Sequence, residues 1–328
     1  MKMRNVAVFW IVSLFVFSLL TLTVAGAQDV LRADGSSTVY PIASTAAAYW
    51  NADPPASDTE YWGPERFNID TDKNLAEYWA GLSRLEPFNV VVGLSHSGVG
   101  MTKVENGQVD IGDASAAVEF EFPDYSPAQL SKFTDHVVAK DHQAFSVSKE
   151  IYDAGVNFLT KGELVAIFNG DIKNWKQVGG PDREIQVVGR AVGSGTETMF
   201  RINVFGTTDV DPAGVDIRKG QNQMVKQTLI QSDNAIGYPG VDFVSSENPA
   251  IEVVWDDGNR YSVEDPGWPL GRELHMYTYQ GTSTKEAAFL RMILSDFGQQ
   301  IFVEESTDYY PLSEKEQAEA LAKLPEIG

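Results

Sequence analysis

Residues 189–200 constrain this chain more than any other stretch. They read Gly189-Arg190-Ala191-Val192-Gly193-Ser194-Gly195-Thr196-Glu197-Thr198-Met199-Phe200, between the apolar β-type run Ile185-Gln186-Val187-Val188 and a helical pattern that Gly206 can end. A strand, a glycine-rich turn and a helix start in that order build an anion cradle. The glycines let the main chain approach a bound group, and first-turn N–H groups point outward without intrahelical acceptors. Ser194 and Thr196 add hydroxyls, and Arg190 adds a planar fork suited to an oxyanion. Read alone, the same residues also describe an ordinary Gly/Ser turn capping a helix, with Arg190 in a surface salt bridge.

Two other stretches repeat the device. Asp34-Gly35-Ser36-Ser37-Thr38-Val39-Tyr40-Pro41 runs from a short apolar strand through small residues into a helix whose first turn tolerates Pro41. Ser95-His96-Ser97-Gly98-Val99-Gly100-Met101 follows the strand expected at 88–94. Three helix N-termini bearing hydroxyls, with one arginine, describe a pocket for a small tetrahedral anion.

Residues 1–27 read as a secretory signal: Lys2 and Arg4, an apolar run to about Val24, and the small-residue site Ala25-Gly26-Ala27 before Gln28. A retained membrane anchor is the alternative, since the run is almost long enough to span a bilayer. No later stretch is comparably apolar, so the remainder is expected to be exported, soluble and periplasmic. The chain has no cysteine, which excludes disulfides, thiolate metal sites and an N-terminal lipidated cysteine. Its 328 residues exceed what one core usually serves, so two lobes are expected. The formal charge of −21, more negative once Lys2 and Arg4 are removed, excludes a basic tract for nucleic acid. Such acidity is compatible with anion capture, because surface charge is screened beyond about 10 Å at 0.1 M salt while cradle donors act at contact.

Strands alternate with helices along the rest, which gives the α/β class. Strand one is expected at 31–33, followed by a helix placing Val39, Ile42, Ala43, Ala46, Ala47 and Trp50 on one face. Residues 51–74, with Pro54-Pro55 and Pro64, read as a surface insertion. A short helix is expected over 75–84, and Tyr61, Trp62, Tyr78 and Trp79 are expected to cover core. A short helix over 101–107 leads to a strand over 109–115. Alternation over 136–148 predicts one long strand able to cross between lobes, and 272–279 predicts a second. Thr160 with Glu163, and Ser313 with Glu316, form capping boxes. Residues 247–265 read as acidic, solvated turns, and 289–302 as one amphipathic helix.

The order and spacing of several motifs resemble the phosphate-binding proteins of ABC phosphate importers over nearly all of the mature length. The motifs are Gly35-Ser36-Ser37-Thr38-Val39, Ser97-Gly98, Val109-Asp110-Ile111-Gly112, and Ile167-Phe168-Asn169-Gly170-Asp171-Ile172-Lys173-Asn174-Trp175. Further on come Gly189-Arg190 with Gly193-Ser194-Gly195-Thr196, Ala235-Ile236-Gly237-Tyr238, Trp268-Pro269-Leu270 before Arg272, and Tyr310-Pro311-Leu312. The resemblance implies the two-lobed periplasmic-binding-protein type II fold, with two crossing hinge strands and a ligand cleft between the lobes. Residues 28–140 plus 276–328 would form lobe I, and 141–275 lobe II. It implies a monomer that takes phosphate as its ligand, needs no cofactor, and hands the ion to membrane permease subunits. The implied ligand set is Thr38, the Val39 amide, Ser97, Ser115, Arg190, Ser194, Gly195 and Thr196, with Arg190 the only full positive charge. Some family members carry an aspartate where Ser115 stands, and another where Val192 stands; an aspartate there accepts the phosphate proton and rejects sulfate. Asp34, Asp113, Glu197 or a main-chain carbonyl would have to accept it here. Another tetrahedral oxyanion (sulfate, tungstate or molybdate) is the alternative ligand.

An enzyme such as a secreted phosphatase is the rival class. Yet His96, His136, His142 and His275 show no metal-binding spacing, and Ser97 beside His96 lacks an orienting third group. A sensor or adhesion ectodomain held by an uncleaved 1–27 segment is the third class.

Overall fold

A computed structural model of the protein describes residues 29–327, so the expected secretory segment at 1–27 lies outside the described residues. Among the described residues, twelve strands form three sheets: β1 (Val30–Gly35), β2 (Asn89–Val92), β3 (Ile111–Ala114), β4 (Phe133–His142), β5 (Ser146–Val147), β6 (Phe158–Thr160), β7 (Gln186–Arg190), β8 (Ile217–Lys219), β9 (Ala235–Gly237), β10 (Glu252–Val254), β11 (Arg260–Tyr261) and β12 (Gly271–Tyr279). The first sheet runs β2-β1-β3-β12-β4, and the second runs β5-β9-β7-β8. A small third sheet runs β11-β10-β6. In the first, β1 pairs in parallel with both β2 and β3, while β12 is antiparallel to β3 and β4. In the second, β7 is parallel to β8 and β9. The first two sheets pack in separate cores, and the third shares the core of the second. Leu31, Ile42, Trp50, Trp62, Leu274 and Phe289 pack in one. Phe145, Phe168, Trp175, Phe200 and Tyr238 pack in the other, with the Phe200 and Tyr238 rings stacked at 3.9 Å.

The chain crosses between these units twice, from β4 to β5 and from Leu270 into β12. The alternation over 136–148 therefore does not make one long strand. It breaks after His142, and Ser146–Val147 pair with β9 in the second sheet. Gln143 N–H donates to the Leu270 carbonyl (3.0 Å) and the Trp268 indole N–H to the Gln143 carbonyl (3.0 Å), so the two crossing segments are bonded to each other. Arg272 and Asp141 form an ion pair (2.6 Å) beside the crossing with both side chains essentially unexposed.

Both capping boxes form, Thr160 with Glu163 and Ser313 with Glu316. Of the four aromatics around the insertion, Trp62 and Trp79 are buried and Tyr78 packs against the core, but Tyr61 is 49% exposed. Residues 289–302 are not one helix. Thr284–Leu294 ends at Ser295, whose hydroxyl caps a short turn at Asp296–Gly298, and the chain continues as a π turn through Glu304. Nor is 247–265 all solvated surface, because it supplies β10 and β11 and buries Ile251, Val253 and Val263.

Candidate ligand-binding site

Ligands of open α/β sheets sit beyond the carboxyl ends of parallel strands. Here the turns after β1, β2 and β3 in the first sheet meet those after β7 and β8 in the second. After β1, Gly35 (φ +147°) turns the chain so closely over β3 that a side chain there would lie 2.2 Å from the Asp113 carbonyl. The turn delivers Ser36, Ser37 and Thr38, all buried, to the start of the helix Tyr40–Ala52. After β2 the chain enters the helix Ser97–Glu105, and after β3 it ends in Ser115. From the other side come Arg190 at the end of β7, the turn 191–194 leading into Gly195–Phe200, and Asn222 opening the helix Asn222–Gln231 after β8.

These turns touch. The Gly193 carbonyl accepts from Gly98 N–H (2.9 Å) and lies 2.8 Å from His96 Nδ1. Ser97 Oγ accepts from the amides of Gly195 (3.1 Å) and Ser115 (3.2 Å) and lies 3.5 Å from Ser115 Oγ. Thr38 Oγ1 is 3.3 Å from Thr196 Oγ1 and accepts from Asn222 Nδ2 (2.8 Å) and Arg272 Nη2 (3.3 Å). Ser37 Oγ accepts from Arg190 Nη2 (3.2 Å) and from the Asn222 amide (3.1 Å). The cleft is closed, and its lining is hydroxyls, amides and two guanidinium groups.

The two arginines are held differently. Arg272 is neutralised by Asp141. The Arg190 guanidinium, buried, bonds Ser37 Oγ, Asn222 Oδ1 and the carbonyls of Lys219 (3.2 Å) and Gly220 (2.9 Å), and among the described residues it contacts no carboxylate. Burial pushes its pKa down to about 9. Glu197, the nearest acid in sequence, is turned to Tyr238, Arg201 (2.9 Å) and Arg218 (3.1 Å), and meets Arg190 only at its main-chain N–H (3.3 Å). Arg190 is thus a buried cation bonded only to neutral groups, a costly arrangement unless an anion joins it.

Four buried polar atoms around this cleft have no hydrogen-bond partner among the described residues: Ser194 Oγ, Arg272 Nη1, Glu121 Oε1 and Gln143 Oε1. Gly195 shows where two of the lining hydroxyls and Glu121 meet. A Cβ built on it would lie 2.5 Å from Ser97 Oγ and 2.8 Å from both Ser115 Oγ and Glu121 Oε1. Only glycine leaves that space free.

Of the residues expected from the sequence, Thr38, Ser97, Ser115, Arg190, Ser194, Gly195 and Thr196 are brought together and buried. The Val39 amide is instead occupied by the Ser36 carbonyl (3.1 Å), and its side chain lies in the core. Arg190 is not the sole cation, because Arg272 also reaches Thr38. Asp34 is tied to Ser95 and Lys103 (2.8 Å), and Glu197 to its arginines. Ser37 lies within the first cradle motif but was not singled out as a contact, and Asn222, Gln143, Arg272 and Glu121 were missed, since each reaches the cleft from an element distant in the sequence. Gln143 Nε2 donates to the Thr196 carbonyl (2.8 Å), bonding a crossing segment to the cradle.

A family model described as a PBP superfamily domain matches residues 22–296. The chain belongs to the PBP superfamily. It is 28% identical over 219 residues to the phosphate-binding protein PstS of Bacillus subtilis, covering 66% of this chain and 69% of that one. It is 27% identical over 280 residues to PstS of Pseudomonas aeruginosa, covering 78% and 84%. Among solved structures, a Clostridium perfringens protein with bound phosphate superposes with a TM-score of 0.65 at 21% identity, covering 87% of this chain and 100% of that one. An ABC-type phosphate transport receptor from Vibrio cholerae gives 0.55 at 23%, covering 86% and 100%. The structural likenesses establish the fold, the type II arrangement of two α/β lobes joined by crossing strands. In this PBP superfamily member the cleft between the lobes is where the hydroxyls and both arginines converge.

Proposed function

We propose that the protein is an extracytoplasmic solute-binding protein that captures inorganic phosphate and delivers it to the permease subunits of an ABC importer. The carrying observation is Arg190, a buried guanidinium with only neutral partners at the centre of a ring of hydroxyls and amides. A bound oxyanion supplies the missing charge, and the curated relatives bear the name phosphate-binding protein. The protein binds without turnover: Ser97 Oγ faces Ser115 and the Gly195 amide, while His96 Nδ1 faces the Gly193 carbonyl. Ligand contacts are assigned to Thr38, Ser97, Ser115, Arg190, Ser194, Gly195 and Thr196, and no cofactor is required. The boundaries expected at 140/141 and 275/276 fall inside β4 and β12, so we divide the chain at its crossings instead, into 28–142 plus 271–328 and 143–270, which the ion holds together. Cleavage before Gln28 releases a soluble periplasmic monomer, so N-terminal sequencing of the exported protein should begin there.

A second reading, another tetrahedral oxyanion, is favoured by Ser115 and Val192 standing where a relative's aspartate would select a protonated ion. Calorimetry of residues 28–328 with phosphate, arsenate, sulfate, tungstate and molybdate separates the two. Phosphate should bind most tightly; tighter binding of tungstate or molybdate, or no binding of any of them, would overturn the phosphate reading.

A further inference from the structure

A hydrogen phosphate ion differs from sulfate in one respect at contact: it carries an O–H donor, which a closed cleft must match with an acceptor or leave unsatisfied at a cost of about 1–3 kcal/mol. Most acids near the site are already engaged. Asp34 binds Ser95 and Lys103, and Glu197 binds Tyr238, Arg201 and Arg218. Asp113, in β3, also has both carboxyl oxygens buried without a partner among the described residues, but its neighbouring charge is another acid, Asp34, and it is not among the three groups nearest the open face of Gly195. Glu121 differs. It ends the short helix Val118–Glu121, which packs against the Ser97 helix and the Gly195 turn, and its Oε1 is buried with no partner among the described residues. That oxygen converges with Ser97 Oγ and Ser115 Oγ on the open face of Gly195.

We propose that the Glu121 carboxyl shares the proton of the bound oxyanion, and so sets the preference of this site for an anion that carries a hydrogen over one that is fully ionised. The inference rests on the oxyanion reading of the cleft. As a carboxylate, Glu121 accepts the ligand O–H. Toward a fully ionised ligand only the carboxylic acid, donating its own proton, avoids two negative oxygens at contact. Charged and titratable neighbours do not supply that proton. Arg272 across the cleft favours the carboxylate, Glu197 is turned to its arginines, and Lys103 and Glu105 on the Ser97 helix are bonded to Asp34 and Tyr125. His96 meets the Gly193 carbonyl, the Tyr277 hydroxyl oxygen accepts from the Val118 N–H, and Glu119 on the same short helix is exposed. Burial lifts the Glu121 pKa to about 8, so both forms of the carboxyl are reachable in mild buffers.

The test is the ratio of phosphate to sulfate affinity, by calorimetry or competition, at pH 6.5, 8.5 and 9.5. In the wild type, sulfate should bind at pH 6.5, and the ratio should rise close to tenfold between pH 8.5 and 9.5, where phosphate in solution keeps its one proton. Using the ratio cancels any titration that affects both anions, Arg190 included. In Glu121→Gln, whose amide both donates and accepts at every pH, the ratio should be flat and sulfate should bind throughout. A flat ratio in the wild type, or a Gln variant that keeps the wild-type profile, overturns the assignment of Glu121 while phosphate still binds. If the wild type binds neither anion, the oxyanion reading itself fails. The wild-type series needs no variant, so a poorly folding Glu121→Gln would leave the inference testable.

Discussion

The two cleft arginines should respond oppositely to the same truncation. Arg190→Met removes a guanidinium whose partners, Ser37, Asn222 and two carbonyls, are all neutral. Stranding those acceptors costs roughly 1–3 kcal/mol each where water cannot reach them, and ending the burial of an unpaired cation returns several kcal/mol. The unliganded protein should therefore keep its stability within about 2 kcal/mol. Phosphate binding should fall by about 2–5 kcal/mol, roughly 30- to several-thousand-fold, because the anion loses its charged fork. Arg272→Met strands Asp141, whose carboxyl is already pushed up by burial against the pull of Arg272. Breaking such a buried pair costs about 3–5 kcal/mol, or roughly 6–15 °C in Tm. Thermal melting without ligand, paired with phosphate calorimetry, reads both quantities. If Arg190→Met unfolds the protein as severely as Arg272→Met, or binds phosphate as tightly as the wild type, then Arg190 is a structural cation and the argument from its missing counter-charge is wrong.

Gly195→Ala should fold, because its turn remains intact, but should weaken phosphate binding at least tenfold, since the new methyl falls 2.5 Å from Ser97 Oγ; calorimetry with unchanged affinity would show that the cleft need not close this far. Glu121, raised from 4.5 to about 8 by burial, binds its proton more tightly folded than unfolded. Its stabilising contribution is full below pH 4.5 and is lost as pH rises through 8, so the Tm of the unliganded Glu121→Gln variant should decline less between pH 5 and 8 than that of the wild type. Parallel Tm curves would place the Glu121 carboxyl in contact with water.

The cradle was legible because its information is local. Gly193, Ser194, Gly195 and Thr196 follow an apolar run and precede a helix, and that order already fixes where a strand ends and amides turn outward. Arg272 carried no such mark. In the sequence it opens a strand, and only the antiparallel pairing of β12 with β4 sets it beside Asp141 and Thr38. Glu121 lies in a four-residue helix too short to leave a periodic pattern. The break in the strand expected over 136–148 was invisible for a related reason. His142, Ala144, Phe145 and Val147 are all buried, so apolar character continues while the chain passes from one sheet to the other. Periodicity reports burial, not which sheet does the burying.

The contact of the Gly193 carbonyl with Gly98 and His96 joins the lobes through the protein's own atoms. In the two-lobed carrier proposed above, such bonds favour closure before any cargo arrives, and together with the other direct bonds across the cleft they set how often the empty molecule visits the shut form. Apparent affinity scales with that frequency, so strengthening the latch sharpens scavenging at low supply. If the proposed permease reads shape, the same change makes empty and loaded carriers harder for it to tell apart. Distance distributions between labels on the two lobes, recorded without phosphate, would measure that frequency, and Gly98→Pro, which deletes the latch N–H, should lower it. Residues 96–98 and 193, of which only Ser97 is an expected ligand contact, thus contribute to how faithfully a shut carrier signifies a full one.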